Sequence, residues 1–266
     1  MKRKLSGLLL ALLFTLALVS LAPAADNYLT TSHYKIYYDQ WEDVARAMNG
    51  SYFDTAYDTA TSVMGKGLDN LMSLYFYSDS SSSTNGTYSP SNNNIRLNIS
   101  KGDSTSSSVL TAYAAVLAHE TTHAIFNYIS HDSSDGANWL DEGLAFYVGD
   151  CAYPKSDAYT KAYLGAQLRY YSQDGETKLS WYDTGIDYLR DDTSSLAMWQ
   201  LPALGNFLYN TGGSSAILST LQSRGRGNDL ELSLQTAFGK PSGMNSTDTS
   251  ADTLYAAYYK YYYGSS

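Results

Sequence analysis

The chain has 266 residues, 44% hydrophobic and only 16% charged, so it carries enough apolar material for a core and is not globally disordered. Acids outnumber Lys and Arg 26 to 17, and the one basic cluster is Lys2-Arg3-Lys4. That balance excludes a nucleic-acid binder and gives no attraction to anionic lipid.

Residues 1–25 read as a signal peptide. Lys2, Arg3 and Lys4 form a positive start, Leu8 to Val19 is apolar except for Thr15, and Ala22-Pro23-Ala24-Ala25 offers small residues for cleavage. The apolar run is shorter than the ~20 residues that span a bilayer, so no lasting membrane span is expected. The expected mature chain, 26–266, is exported or secreted and more acidic than its precursor. Its richness in Tyr (26 residues), Ser and Asn suits an extracellular surface. Cys151, the only Cys, excludes an internal disulfide and reads as a small half-buried side chain.

In chain order, 33–38 (HYKIYY) is β-branched and aromatic, a strand pattern. Trp41, Val44, Met48, Tyr52 and Ala56 recur at helical spacing and predict one amphipathic helix to about Met64, loosened at Asn49-Gly50. Residues 71–77 predict a second strand, and 79–94 (DSSSSTNGTYSPSNNN) a surface loop or long hairpin tip. Residues 94–99 (NIRLNI) alternate as a half-exposed strand. A long helix follows over about 107–128, with Ser residues as N-caps and Asp103 near its positive end. Helices are then expected at 138–149, 157–172, 194–209, 214–223, 229–238 and 252–263, with Pro202 kinking or splitting the third of these. The pattern predicts an α+β fold: one domain over 26–266, with an α/β part (26–130) and a mainly helical part (131–266).

The chemistry lies in the long helix. His119-Glu120-Thr121-Thr122-His123 is an H-E-x-x-H motif. Residues four apart on a helix lie ~40° apart around its axis, so both imidazoles project from one face. One Zn²⁺ per chain is therefore within reach of both rings at ~2.0–2.1 Å. Glu120 sits ~100° further round, near the metal but not aimed to bind it, and is placed to take a proton from a water. With eighteen residues between, His123 is followed by Glu142, within 139–147 (WLDEGLAFY) on the next predicted helix. Its carboxylate supplies the third ligand that a catalytic zinc needs, with the fourth position left to water. At this composition a chance H-E-x-x-H has odds of roughly one in a thousand.

These residues resemble the gluzincin metallopeptidases, and in particular the small peptidase MA-like domains. The resemblance is specific over 119–147 and loose over the rest of the mature chain. It implies a zincin-like fold and a zinc metallopeptidase, a hydrolase of peptide or protein substrates. His119, His123 and Glu142 would bind zinc and Glu120 would be the general base and acid. It also implies that strand 94–99 is the edge on which an extended peptide adds. Two departures stand out. No G-A-M-E-N-like segment precedes the motif, which disfavours a dedicated aminopeptidase. The position where relatives carry an oxyanion-stabilising Tyr falls on Met198, ahead of Trp199 and Gln200. Tyr188 and His131 are the candidate replacements.

Asp141 is a candidate hydrogen-bond partner for a ligand imidazole. His33 reads as structural. Tyr255, Tyr258, Tyr259 and Tyr262 fall at helical spacing and read as a stripe that docks the last helix. The competing function is a non-catalytic surface-binding protein on a zinc-stabilised peptidase fold, against which the presence of Glu120 argues.

Overall fold

Alternation of large apolar and polar side chains gives each of three central segments one face to bury, and these become the heart of a sheet. In the computed structural model the described residues are 27–100, 105–131, 138–152, 160–171, 195–243 and 248–264. They form an α+β fold with a five-stranded mixed sheet and eight helices. The strands are β1 (Tyr28–Thr30), β2 (Tyr34–Tyr37), β3 (Met72–Tyr77), β4 (Gly86–Ser89) and β5 (Asn94–Asn98). Their order is β1-β2-β3-β5-β4, with β2, β3 and β5 parallel and the two outer strands antiparallel to their neighbours. Tyr34, Ile36, Met72, Leu74, Phe76, Ile95 and Leu97 are buried on the inner face.

Two expectations about the sheet change here. The polar stretch 79–94 contains strand β4, and β5, expected as an edge, lies inside the sheet between β3 and β4. On this side of the sheet the edge among the described residues is β4, as β1 is on the other. A hairpin explains it: Pro90 to Asn93 make the turn, Asn93 takes a left-handed φ of 47°, and the chain returns as β5.

The helices are α1 (Glu42–Met48), α2 (Tyr52–Met64), α3 (Ser107–Ser130), α4 (Asn138–Phe146), α5 (Lys161–Tyr171), α6 (Ser195–Gly225), α7 (Leu230–Phe238) and α8 (Leu254–Tyr263). The single helix expected from Trp41 to Met64 is two, separated at 49–51 next to Gly50. Helix α4 runs on as a π-helix over Tyr147–Ala152. The chain stays helical through Pro202, where the buried Leu201, Ala203 and Leu204 hold it in place. The break within α6 comes at Gly213 (φ 65°, ψ −175°), between the helices expected at 194–209 and 214–223, in a conformation open to glycine at little cost.

Helix α3 packs on the inner face of the sheet, touching β4 and β5, with α2 along one flank and α4 and α6 along another. Tyr34 on β2 and Thr121 on α3 share a fully buried hydroxyl–hydroxyl bond of 2.7 Å. That bond ties the sheet to the middle of the H-E-x-x-H motif. One continuous hydrophobic cluster runs from Tyr34 to Tyr262. Of the Tyr stripe on α8, Tyr255, Tyr258 and Tyr262 are buried and Tyr259 is exposed. The Tyr262 hydroxyl shares its one proton between the Ala203 carbonyl at 2.8 Å and Asn206 Oδ1 at 3.0 Å, both on α6. His33 is structural, its ring stacked on that of Tyr57 at 3.7 Å. No helix among the described residues is long and apolar enough to cross a membrane. The segment 1–25, Asp103, Tyr188 and the side chains of Cys151 and Met198 lie outside the described residues.

Candidate metal centre

The packing of α4 on α3 brings the distant Glu142 to the two motif histidines. Trp139, Leu140 and Leu144 are buried in the core, which turns Asp141 and Glu142 toward α3. Glu142 Oε2 lies 3.7 Å from Nε2 of His119 and 3.7 Å from Nε2 of His123. The two Nε2 atoms are 3.1 Å apart. A point equidistant from the three atoms lies about 2.0 Å from each, the length of a Zn–N or Zn–O bond. His119, His123 and Glu142 thus form a group that can hold a metal ion. Two imidazoles and a carboxylate are a donor set of the zinc type.

The surroundings orient these donors. His123 Nδ1 meets Asp141 Oδ1 at 2.8 Å, which fixes the ring and leaves Nε2 for a metal. This is the partnership expected of Asp141. His119 donates to the backbone carbonyl of Ala145 and packs edge-on against the Phe146 ring at 4.9 Å. On the far side of His119, a Cβ on Gly149 of the π-helix would come within 3.0 Å of the His119 Cβ.

Glu120 stands beside the three donors but is not one of them. It is 6% exposed, and burial pushes its carboxyl up to about 7, with His123 opposing and Glu142 adding to the rise. Burial, followed by the charge of His123, holds His119 well below the ordinary imidazole value. Burial acts the same way on His123, yet Asp141, Glu142 and Glu120 outweigh it and push His123 up to about 10. Two imidazoles among three carboxylates attract a cation.

The oxyanion candidates fare differently. His131 ends α3 in the left-handed conformation and lines a cavity of about 400 Å³ with Lys66, Tyr128, Gln222 and Arg226. It lies about 12 Å further along the helix than His123 and does not belong to the centre. Tyr188 lies outside the described residues. Sequence reasoning missed strand β4, whose Tyr88 presents its backbone N–H to the Glu120 carboxylate. The Tyr88 ring lies half-buried beside α3, its hydroxyl 3.5 Å from Asn127 Oδ1. The available signal was the pair of turns, Asn85-Gly86 and Ser89-Pro90, that bracket the strand. Comparison with protein-family models, curated proteins and solved structures returns no match.

Proposed function

We propose that this protein is an exported, zinc-dependent metallopeptidase of zincin-like fold, related to the gluzincins. One observation carries the reading: His119, His123 and Glu142 converge on a point at zinc-ligand distance, with Glu120 beside that point and outside the donor set. Three protein donors leave a coordination position open, the arrangement of catalytic rather than structural zinc. A bound zinc ion supplies Lewis acidity toward the scissile carbonyl and the attacking water.

The chain's own residues do the rest. Glu120, buried and with its pKa raised toward neutrality, takes a proton from the attacking water and hands it to the departing amine. Asp141 keeps His123 in the tautomer and orientation that a ligand needs. Strand β4 lies against Glu120 at Gly86, and an extended peptide adds to its outer edge by main-chain pairing. The leader at 1–25 supports export.

The test uses purified protein and a quenched protein substrate. Wild type should hold close to one zinc per chain and cleave the substrate, with activity lost to chelator and restored by zinc. Glu120→Gln should keep its metal and lose about 10²–10⁴-fold in turnover. A wild type that holds zinc but cleaves no peptide bond would instead be a metal-stabilised binding protein. A wild type that binds no zinc would remove both readings.

A further inference from the structure

Among the described residues, strand β4 pairs with β5 on one side only. The Asn98 N–H bonds the Asn85 carbonyl, and the register continues as Gly86↔Leu97, Thr87↔Arg96, Tyr88↔Ile95 and Ser89↔Asn94. In an antiparallel ladder alternate residues bond across the pair, so Asn85, Thr87 and Ser89 face β5. Gly86 and Tyr88 turn their N–H and C=O groups to the free side. An N–H on a free edge is ordinarily left to solvent. That of Tyr88 instead faces the Glu120 carboxylate and helps to keep it ionised.

Gly86 makes this approach possible. It sits in strand conformation, outside the left-handed region, so its backbone does not demand glycine. Space does. A Cβ here would stand 2.6 Å from Val116 Cγ1, 3.0 Å from Glu120 Cγ and 3.1 Å from Glu120 Oε1. Any side chain on residue 86 presses directly on the carboxylate.

We propose that Gly86 and the Tyr88 main chain are positioning elements for the general base: β4 is a brace that holds the Glu120 carboxylate in its working orientation. The proposal rests on the peptidase reading for what the carboxylate does, but not for where it is held. A buried carboxylate is costly without a hydrogen bond, and the Tyr88 N–H provides one. A carboxylate has about four lone-pair sites, so one such bond leaves room for the proton of a water. The edge strand that pairs with substrate is thereby tied mechanically to the base.

The experiment compares Gly86→Ala, Val116→Ala and the double variant Gly86→Ala/Val116→Ala in zinc-loaded protein. The double variant removes the closest clash, with Val116 Cγ1, and keeps the pressure on Glu120. The first readout is amide hydrogen exchange at Tyr88. This N–H should be protected in wild type, and exposed in Glu120→Ala at unchanged zinc content. In the double variant its protection should fall at least about tenfold. The second readout is steady-state kinetics. In the double variant kcat should fall about 10- to 100-fold, the scale of a small misplacement of a catalytic group, while KM stays near that of Val116→Ala. Free exchange of the Tyr88 amide in wild type would overturn the proposal. So would a double variant with wild-type exchange and kcat, for then Gly86 only makes room for Val116. If wild type cleaves nothing, the peptidase reading fails, and the exchange data alone decide whether the brace exists.

Discussion

At the scale of single residues, a histidine offers a metal only one nitrogen at a time, and the other nitrogen decides how well. His123 Nδ1 is held by Asp141 at 2.8 Å, so its Nε2 stays turned toward Glu142 and His119. Asp141→Ala should keep the three ligands and lower zinc affinity about 10- to 100-fold, as loss of such a partner does. Competition with a chromophoric chelator measures it, and an unchanged affinity would mean that packing alone orients His123. The ligands were legible in the sequence because a helix translates spacing into direction: His119 and His123 share a face by their separation of four. Asp141 was legible as the neighbour of a ligand. Gly86 and Tyr88 were not, because their contact with Glu120 crosses more than thirty residues of chain and depends on how a sheet edge sits on a helix. His131 shows the limit of closeness in sequence: it is exposed, as a loop histidine is. It follows His123 by only eight residues, but two turns of helix carry it to another cavity.

At the scale of elements, strands with strong alternation and helices with apolar periodicity were readable, and segments defined by their partners were not. Strand β4 has the sequence Gly-Thr-Tyr-Ser, with little preference of its own, and exists because β5 pairs with it. The π-helix after α4 is likewise invisible to a 3.6-residue period. The placement of Glu142 depends on another such contact, between α4 and α6. A Cβ on Gly205 would stand 2.2 Å from the Gly143 carbonyl oxygen and 2.5 Å from the Tyr147 Cβ. The two helices therefore meet backbone to backbone immediately beside the third ligand. Since a carbonyl cannot swing away as a side-chain tip can, Gly205→Ala should push α4 off α6, at a cost of about 1–3 kcal/mol in stability. Urea unfolding should report that loss, and zinc affinity should fall along with it. A variant of wild-type stability and affinity would show that α4 is held from its other side, by α3.

At the scale of the whole molecule, described elements from both parts of the expected single domain share one core. Helix α6 packs on α2 and α3 of the first part and on α4, α5 and α7 of the second, within one continuous apolar cluster. The candidate centre spans the same junction. Two of its candidate ligands lie on α3 and the third on α4, with residues 131–137 between the helices. A metal at this point closes the junction and stabilises the folded state by its binding free energy, because the unfolded chain offers no assembled site. With free zinc at one hundred times Kd the gain is about 2.7 kcal/mol. For a chain of this length each kcal/mol moves Tm by about 2–4 °C, so chelation should lower Tm by about 5–11 °C. Thermal unfolding with and without chelator tests this, and two variants locate the effect. Glu120→Gln should show the full shift, because Glu120 stands outside the donor set. Glu142→Ala should start from a lower Tm and barely respond, since the ligand that joins α4 to α3 is gone. Equal shifts in both variants would place the stabilising metal elsewhere. A wild type indifferent to chelator would mean that the apolar weld through α6 holds the two parts together unaided.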